Sequence, residues 1–145
     1  MVRGLQCAGR MNPKALQLQE RTRDFAARVI TFCAAMRSSA ARQIAEQLVD
    51  AAGSTDSNYR AACRARSPAE FIAKLGTAVE EADESKGWLQ LLVHANLTSA
   101  EDARDLIGEA DELVAIFVAS KKTAERRKQL RDELKGATRG RGRRG

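Results

Sequence analysis

The C-terminal end of this chain carries cations at a density that suits binding to phosphate groups. Residues 121–145 hold eleven Lys or Arg and three Asp or Glu, a local charge of +8, whereas residues 1–120 hold fourteen and sixteen. Such side chains bind nucleic acids by neutralising phosphates and releasing condensed counterions. The cations are Lys121, Lys122, Arg126, Arg127, Lys128, Arg131, Lys135, Arg139, Arg141, Arg143 and Arg144. The alternative is a solubilising tail that binds RNA only non-specifically.

A second group of cations surrounds a predicted turn in the middle of the chain. It consists of Arg60, Arg64, Arg66 and Lys74. These side chains could also contact phosphates. They could instead pair with acids of the following helix, namely Glu70, Glu81 and Glu84, within one subunit or across an oligomer interface. We place this second interpretation slightly ahead.

Two isolated aromatic residues, Tyr59 and Trp88, could stack on nucleic-acid bases. On long helices such residues more often pack at an interface between subunits. We therefore assign Tyr59 and Trp88 first to an oligomer interface.

The sequence offers no set of residues suited to catalysis or metal binding. Acidic residues cluster at 80–84 and 109–112, but a carboxylate-bridged metal centre in a helical bundle needs Glu-x-x-His pairs, and His94 is the one histidine. We expect His94 to interact with a helix C-terminus. Three cysteines without a C-x-x-C pair indicate reduced thiols, with Cys33 and Cys63 as small core residues. We expect no enzymatic activity, no metal and no cofactor.

Composition favours an all-α domain. Aromatic residues make up 4% of the chain, and Pro13 and Pro68 are its two prolines, so little interrupts helices. No apolar run approaches the roughly 18–20 residues that span a bilayer, and the N-terminus has no apolar signal region. We expect a cytoplasmic protein without a membrane partner.

Apolar residues recur at alternating spacings of four and three, which predicts four amphipathic helices in residues 13–134. We call the residues at these spacings the seam of each helix. In chain order the four seams are Leu18, Thr22, Phe25, Val29, Phe32 and Met36; Ile44, Leu48, Ala51, Thr55, Asn58 and Ala62; Phe71, Leu75, Ala78, Ala82, Ser85, Leu89 and Leu92; and Leu106, Ala110, Leu113, Phe117, Ser120 and Ala124. Four such helices with short connections predict an up-and-down four-helix bundle.

Local signals place the helix boundaries. Asn12 before Pro13 predicts the first helix start, and a break near 37–39 predicts the first turn. Ser67-Pro68-Ala69-Glu70 combines an N-cap, a proline at the first helical position and a capping-box glutamate. Asn96 suits a left-handed helix end, and Thr98 or Ser99 starts the fourth helix. Residues 1–12 read as a flexible N-terminus, and the Arg/Gly-rich residues 135–145 as a disordered tail.

Several short motifs across the four helices resemble one family. They are Arg21-Thr22-x-x-Phe25-Ala26, Gln47-Leu48, Asn58-Tyr59-Arg60-Ala61-Ala62, Ser67-x-x-Glu70-Phe71-x-x-Lys74-Leu75, Glu81-Ala82-Asp83-Glu84, Trp88-Leu89-x-Leu91-Leu92 and Glu109-x-x-Glu112-Leu113. Over about residues 18–128 the chain is similar to the four-helix-bundle proteins encoded within intervening sequences of 23S rRNA genes. It departs from their pattern at Asp50, Asp56-Ser57 and Gly87.

The resemblance implies a four-helix bundle whose second helix runs through residues 53–58, although Gly53 and the short polar residues after it favour a loop. It also implies a homopentamer, and one branch of the family works with a reverse transcriptase. We expect a non-enzymatic homo-oligomer that binds RNA or DNA through its basic surfaces. The alternatives are a protein–protein scaffold and an accessory subunit of a reverse transcriptase.

Overall fold

The structure, a computed structural model, describes residues 12–141 and the side chains of residues 12–139. It contains four helices, α1 (Pro13–Ala34), α2 (Ser39–Cys63), α3 (Pro68–His94) and α4 (Ala100–Arg141), and no strand within that range. Each helix packs against the next, and α1 also meets α4 over a shorter stretch. The predicted all-α four-helix bundle is confirmed.

Each helix start has a side chain that accepts a hydrogen bond from a backbone amide of the first turn. Asn12, Ser38, Ser67 and Ser99 accept from the amides of Lys14, Ala41, Glu70 and Asp102 at 3.0–3.1 Å. At α3 the carboxylate of Glu70 also accepts from the backbone N–H of Arg66, at 2.8 Å. The predicted N-cap at Ser67 therefore forms, but Glu70 accepts from the amide one residue before the N-cap and not from that of Ser67 itself, as a capping box would require.

Helix α3 ends at a left-handed residue, as the sequence predicts. Asn96 has a φ of 57°, and the amide of Leu97 donates to the carbonyl of Leu92 at 2.9 Å. The amide of Asn96 donates to the carbonyl of Val93 at 3.0 Å. This is a Schellman motif, which turns the chain sharply towards α4.

The predicted seams form the core. Phe25, Leu48, Leu89 and Phe117, one from each helix, are completely buried. Toward their ends the seams become half-buried, as at Leu18, Phe71 and Ala124.

Helix α2 is continuous through residues 53–58, as the resemblance implies. A Cβ atom at Gly53 would meet open space, so this glycine does not serve a close helix contact. The buried small side chains are instead those of Ala51, Ala52 and Thr55. The hydroxyl of Thr55 donates to the carbonyl of Ala51 at 2.9 Å, which satisfies it without a partner on another helix.

Helix α4 is longer than the sequence indicates. We expected it to end near Leu134, but it continues through Arg141. The described side chains from Asp132 to Arg139 are all exposed, so this part adds nothing to the core. None of the helices in the described range combines the length and apolarity needed to cross a membrane.

Candidate nucleic-acid interface

The start of α3 and the C-terminal half of α4 lie side by side at one end of the bundle. A Cβ atom at Gly76 would lie 3.5 Å from Cε of Lys121. Further towards the end, Ile72 lines a shallow groove with Lys128 and Asp132. The turn between α2 and α3 therefore shares this end with the cationic part of α4. We call this region, residues 64–66 and 121–141, the basic end.

Most cations of the basic end have no acidic partner. No ion pair among the described residues involves Arg64, Arg66, Lys122, Arg126, Arg127, Arg131, Lys135 or Arg139. All of them are exposed except Arg131, which is half-buried. Their positive charge is therefore available to an anionic ligand.

Two other cations of α4 are paired within the helix. Lys121 lies 3.4 Å from Glu125, and Lys128 donates to Asp132 at 2.8 Å. The hydrogen bond from Lys128, assisted by its charge and those of nearby cations, lowers the pKa of the Asp132 carboxyl. Lys121 and Lys128 would have to leave these partners to bind phosphate.

Arg60 belongs to a buried polar contact between α1 and α2. Its Nε lies 3.1 Å from Oδ2 of Asp56, at an angle unsuited to a hydrogen bond, so the contact is an ion pair alone. The hydroxyl of Thr22, on α1, donates to Oδ1 of Asp56 at 3.0 Å. The ion-pair interpretation thus fits Arg60, but its partner is Asp56 and not an acid of α3.

The structure separates the two aromatic residues that we assigned to an oligomer interface. Tyr59 is 6% exposed and stacks on Phe117, with ring centroids 5.4 Å apart. It belongs to the core of its own chain, where neither a second subunit nor a base can reach its ring. Trp88 is half-buried, and its indole N–H donates to Glu84 at 3.1 Å. It lies far from the basic end, near the C-terminus of α3.

Sequence reasoning did not identify the ion pair that joins α1 to α4. Arg21 donates from Nε and Nη2 to the two carboxylate oxygens of Glu109, at 2.6 and 2.9 Å, and also contacts Glu112. Both carboxylates raise the pKa of Arg21. The signal was present, because Arg21, Glu109 and Glu112 all belong to the motifs that carry the family resemblance.

The remaining titratable candidates do not form a site. Among the described residues, no three His, Cys, Asp or Glu side chains come close enough to hold a metal ion. Burial and the neighbouring Glu84 and Glu80 raise the pKa of Glu81. Burial also raises the pKa of the Cys33 thiol to about 11, so it remains protonated at neutral pH. Cys7, Arg143 and Arg144 lie outside the described residues, as does the side chain of Arg141.

Comparison with known proteins identifies relatives of the fold. The family model described as 23S rRNA-intervening sequence protein matches residues 14–119. A crystal structure from Bacteroides thetaiotaomicron, of a protein of unknown function from the S23 ribosomal protein family, is 25% identical with a TM-score of 0.68. The match covers 75% of this chain and 98% of that one. No protein of curated function matches the chain.

Proposed function

The chain belongs to the family of 23S rRNA-intervening sequence proteins, and because the protein in the matching crystal structure has unknown function, we propose a role from the charged surface of this chain. We propose that the protein is a non-enzymatic homo-oligomer that binds nucleic acid through phosphate contacts at the basic end. One observation carries the proposal. Eight described cations of two chain segments lie at one end of the bundle without acidic partners.

The turn between α2 and α3 supports a binding role because the side chains of its two arginines have no structural task. Arg64 and Arg66 are exposed, and Arg66 contributes only its backbone N–H, which donates to Glu70. Replacing both side chains should leave α3 intact. Arg60 is unsuited to this test, since its loss would leave the buried carboxylate of Asp56 without its ion pair.

The test measures binding of a fluorescent duplex as a function of salt. A variant with Arg64, Arg66, Arg126 and Arg127 changed to Gln should lower the slope of log K against log salt by about 0.9 for each lost phosphate contact. The control changes four exposed cations away from the basic end, Arg23, Arg28, Arg42 and Arg104, to Gln. It has the same net charge and should keep the original slope. Equal losses in both variants, or no salt-sensitive binding by the parent protein, would contradict the proposal.

A protein–protein scaffold is the second candidate, and the outer side of α3 supports it. Leu91 is 42% exposed and lies one helical turn from the half-buried Trp88. A partner could bury both side chains. If the parent protein showed no salt-sensitive binding to duplex, this candidate would take the place of nucleic-acid binding.

A further inference from the structure

The last part of α4 has no neighbouring helix. Arg21 is level with Glu109, so Pro13, at the start of α1, is level with about residue 117 of the antiparallel α4. In the same way Gly76 is level with Lys121, so Pro68, at the start of α3, is level with about residue 129. Residues 131–141, which we call the α4 extension, therefore continue past the starts of both helices for about 16 Å, and at its beginning Asp132 and Glu133 still line the groove beside Ile72.

One side of this helix carries a regular row of cations. Arg127, Arg131, Lys135 and Arg139 are four residues apart, and residues with this spacing neighbour one another on a helix surface. The two acids near this row form hydrogen bonds with other side chains of α4. Asp132 pairs with Lys128, and Glu133 accepts from the side-chain amide of Gln129 at 3.0 Å. The four cations of the row therefore form no ion pair within the described residues, although the charge of Asp132 lies near Arg131 and Lys135.

The basic end has no free aromatic ring for stacking on unpaired bases. All six aromatic residues of the chain are described, and Phe71 is the one near the start of α3. Its side chain packs against the core, Tyr59 is buried, and Trp88 lies towards the other end. Proteins that bind single strands usually combine a cationic groove with such stacking rings. The basic end thus suits a paired, regular polyanion better than a single strand.

A second copy of the chain is a poorer partner for the α4 extension, although two exposed leucines could suggest one. Leu130 and Leu134 are 55% and 71% exposed and lie one turn apart. Residues 126–141, however, hold seven Lys or Arg against two Asp or Glu. Two such helices side by side would repel each other at ordinary ionic strength. A polyanion would be attracted to these cations, so binding one replaces the repulsion with a favourable interaction.

We propose that the α4 extension docks in the major groove of B-form duplex DNA, with its cation row against the phosphates. This rests on the proposed function and names its ligand. A lone helix with side chains is about 10–12 Å across, and the major groove of B-form DNA is about 12 Å wide. The major groove of an A-form RNA duplex is too narrow for side chains to enter. Of the two duplexes, the shape of the extension favours DNA.

The first experiment compares three probes by fluorescence anisotropy over a range of salt: a DNA duplex, an RNA duplex of the same sequence, and one of the DNA strands alone. The full chain should bind the DNA duplex most tightly. Changing Arg131, Lys135 and Arg139 to Ala should lower the salt slope for this duplex by about 2.7. The matched control, with Arg23, Arg42 and Arg104 changed to Ala, should leave the slope unchanged.

The second experiment alters the helix without altering its charge. Gly136 is exposed with open space around its Cα, so Gly136→Ala should favour the helix and tighten DNA binding about two- to fivefold. Gly136→Pro should break the extension and reduce the affinity for DNA to that for the RNA duplex. Circular dichroism of each variant reports whether the bundle remains folded.

These measurements separate the two proposals. Salt-sensitive binding that is equal or tighter for RNA duplex or single strand would overturn groove docking and leave the proposed function in place. Unchanged DNA affinity in Gly136→Pro would overturn it as well, because a flexible cationic segment would then suffice. No salt-sensitive binding to any probe would overturn the proposed function itself.

Discussion

Asp56 is a buried acid at a position where the chain departs from the pattern that it otherwise resembles. It is 8% exposed and is stabilised from two helices, by the hydroxyl of Thr22 and the guanidinium of Arg60. A buried carboxylate is costly unless its charge and its lone pairs are both satisfied. The two partners together explain why α2 remains a helix at Asp56, next to residues that favour turns.

Thr22→Val removes the hydroxyl donor while keeping the shape of the completely buried side chain. Because the acceptor is charged, the free energy of unfolding should fall by about 1.5–3 kcal/mol in urea melts. Thr31→Val is the matched control, since the hydroxyl of Thr31 is exposed and bonds within its own helix to Ala27. It should change stability by less than about 0.5 kcal/mol. The loss from Thr22→Val should shrink in an Asp56→Ala background, and an undiminished loss there would contradict this account.

Glu81 provides a pH-dependent prediction. Its pKa in the folded chain lies above the ordinary value because burial, Glu84 and Glu80 disfavour its charge. Between its unfolded and folded pKa values the folded state binds more protons, so this group adds stability as pH falls through that window. At neutral pH the charged form destabilises the fold.

Glu81→Gln should therefore raise the melting temperature at pH 7 and remove part of the gain in stability on acidification. The measurement is thermal melting from pH 4 to 8. Glu46→Gln, at an exposed position on α2, is the control and should leave the melting temperature at pH 7 nearly unchanged. A lower melting temperature of Glu81→Gln at pH 7 would show that Glu81 makes a favourable contact as an anion.

At the scale of elements, the start of α3 depends on its cap. Ser67→Ala should lower the free energy of unfolding by about 1 kcal/mol, because the amide of Glu70 loses its acceptor. Ser57→Ala, which removes an exposed hydroxyl bonded within α2, should have almost no effect. Phe71→Ala should cost about 3 kcal/mol, the lower end for such a change, since Phe71 is only half-buried. A larger loss at Ser67 than at Phe71 would mean that the cap matters more than the packing behind it.

The helix boundaries show what local sequence can and cannot predict. The start and end of α3 were predicted correctly because Ser67, Pro68 and Asn96 each act on backbone groups within a few residues. Continuity of α2 came from the family resemblance, since the polar residues after Gly53 favour a turn when taken alone. The end of α4 was misplaced because the Arg/Gly-rich composition after Leu134 suggested a disordered tail. Ala, Lys and Arg in this segment favour helix, and no proline interrupts it.

The candidate site also has features that the sequence predicts and features that only the folded structure reveals. Its cations were visible in the sequence because charge is a local property. Which of them are free was not, because that depends on contacts between helices and on competition among neighbouring acids. Arg60 pairs with Asp56 on its own helix, although we looked for its partner on α3. Tyr59 is buried because Phe117, 58 positions further along the chain, stacks on its ring.

At the scale of the whole molecule, other parts of the same chain cover some of the apolar surface of α3. Trp88 and the flanking Ile72, Val79 and Val93 add apolar surface to α3 beside its seam. Val79 packs against the core, and Ile72 lies beside α4, so these two are partly covered within the chain. Trp88 also packs partly against the core, and the surface that it leaves exposed forms an apolar pair with Leu91, one helical turn further along α3.

This pair is where we predict contact between subunits. The parent protein should sediment as an oligomer at micromolar concentration, and the measured mass also tests the five subunits implied by the family resemblance. Leu91→Asp should weaken assembly by about tenfold or more, because it would bury a charge beside Trp88. Leu130→Asp changes a more exposed leucine, on the helix that leaves the bundle, and this variant should assemble as the parent does. A monomeric parent would contradict the prediction of an oligomer. Dissociation of Leu130→Asp with Leu91→Asp intact would move the contact to α4, where it would compete with DNA for the same helix.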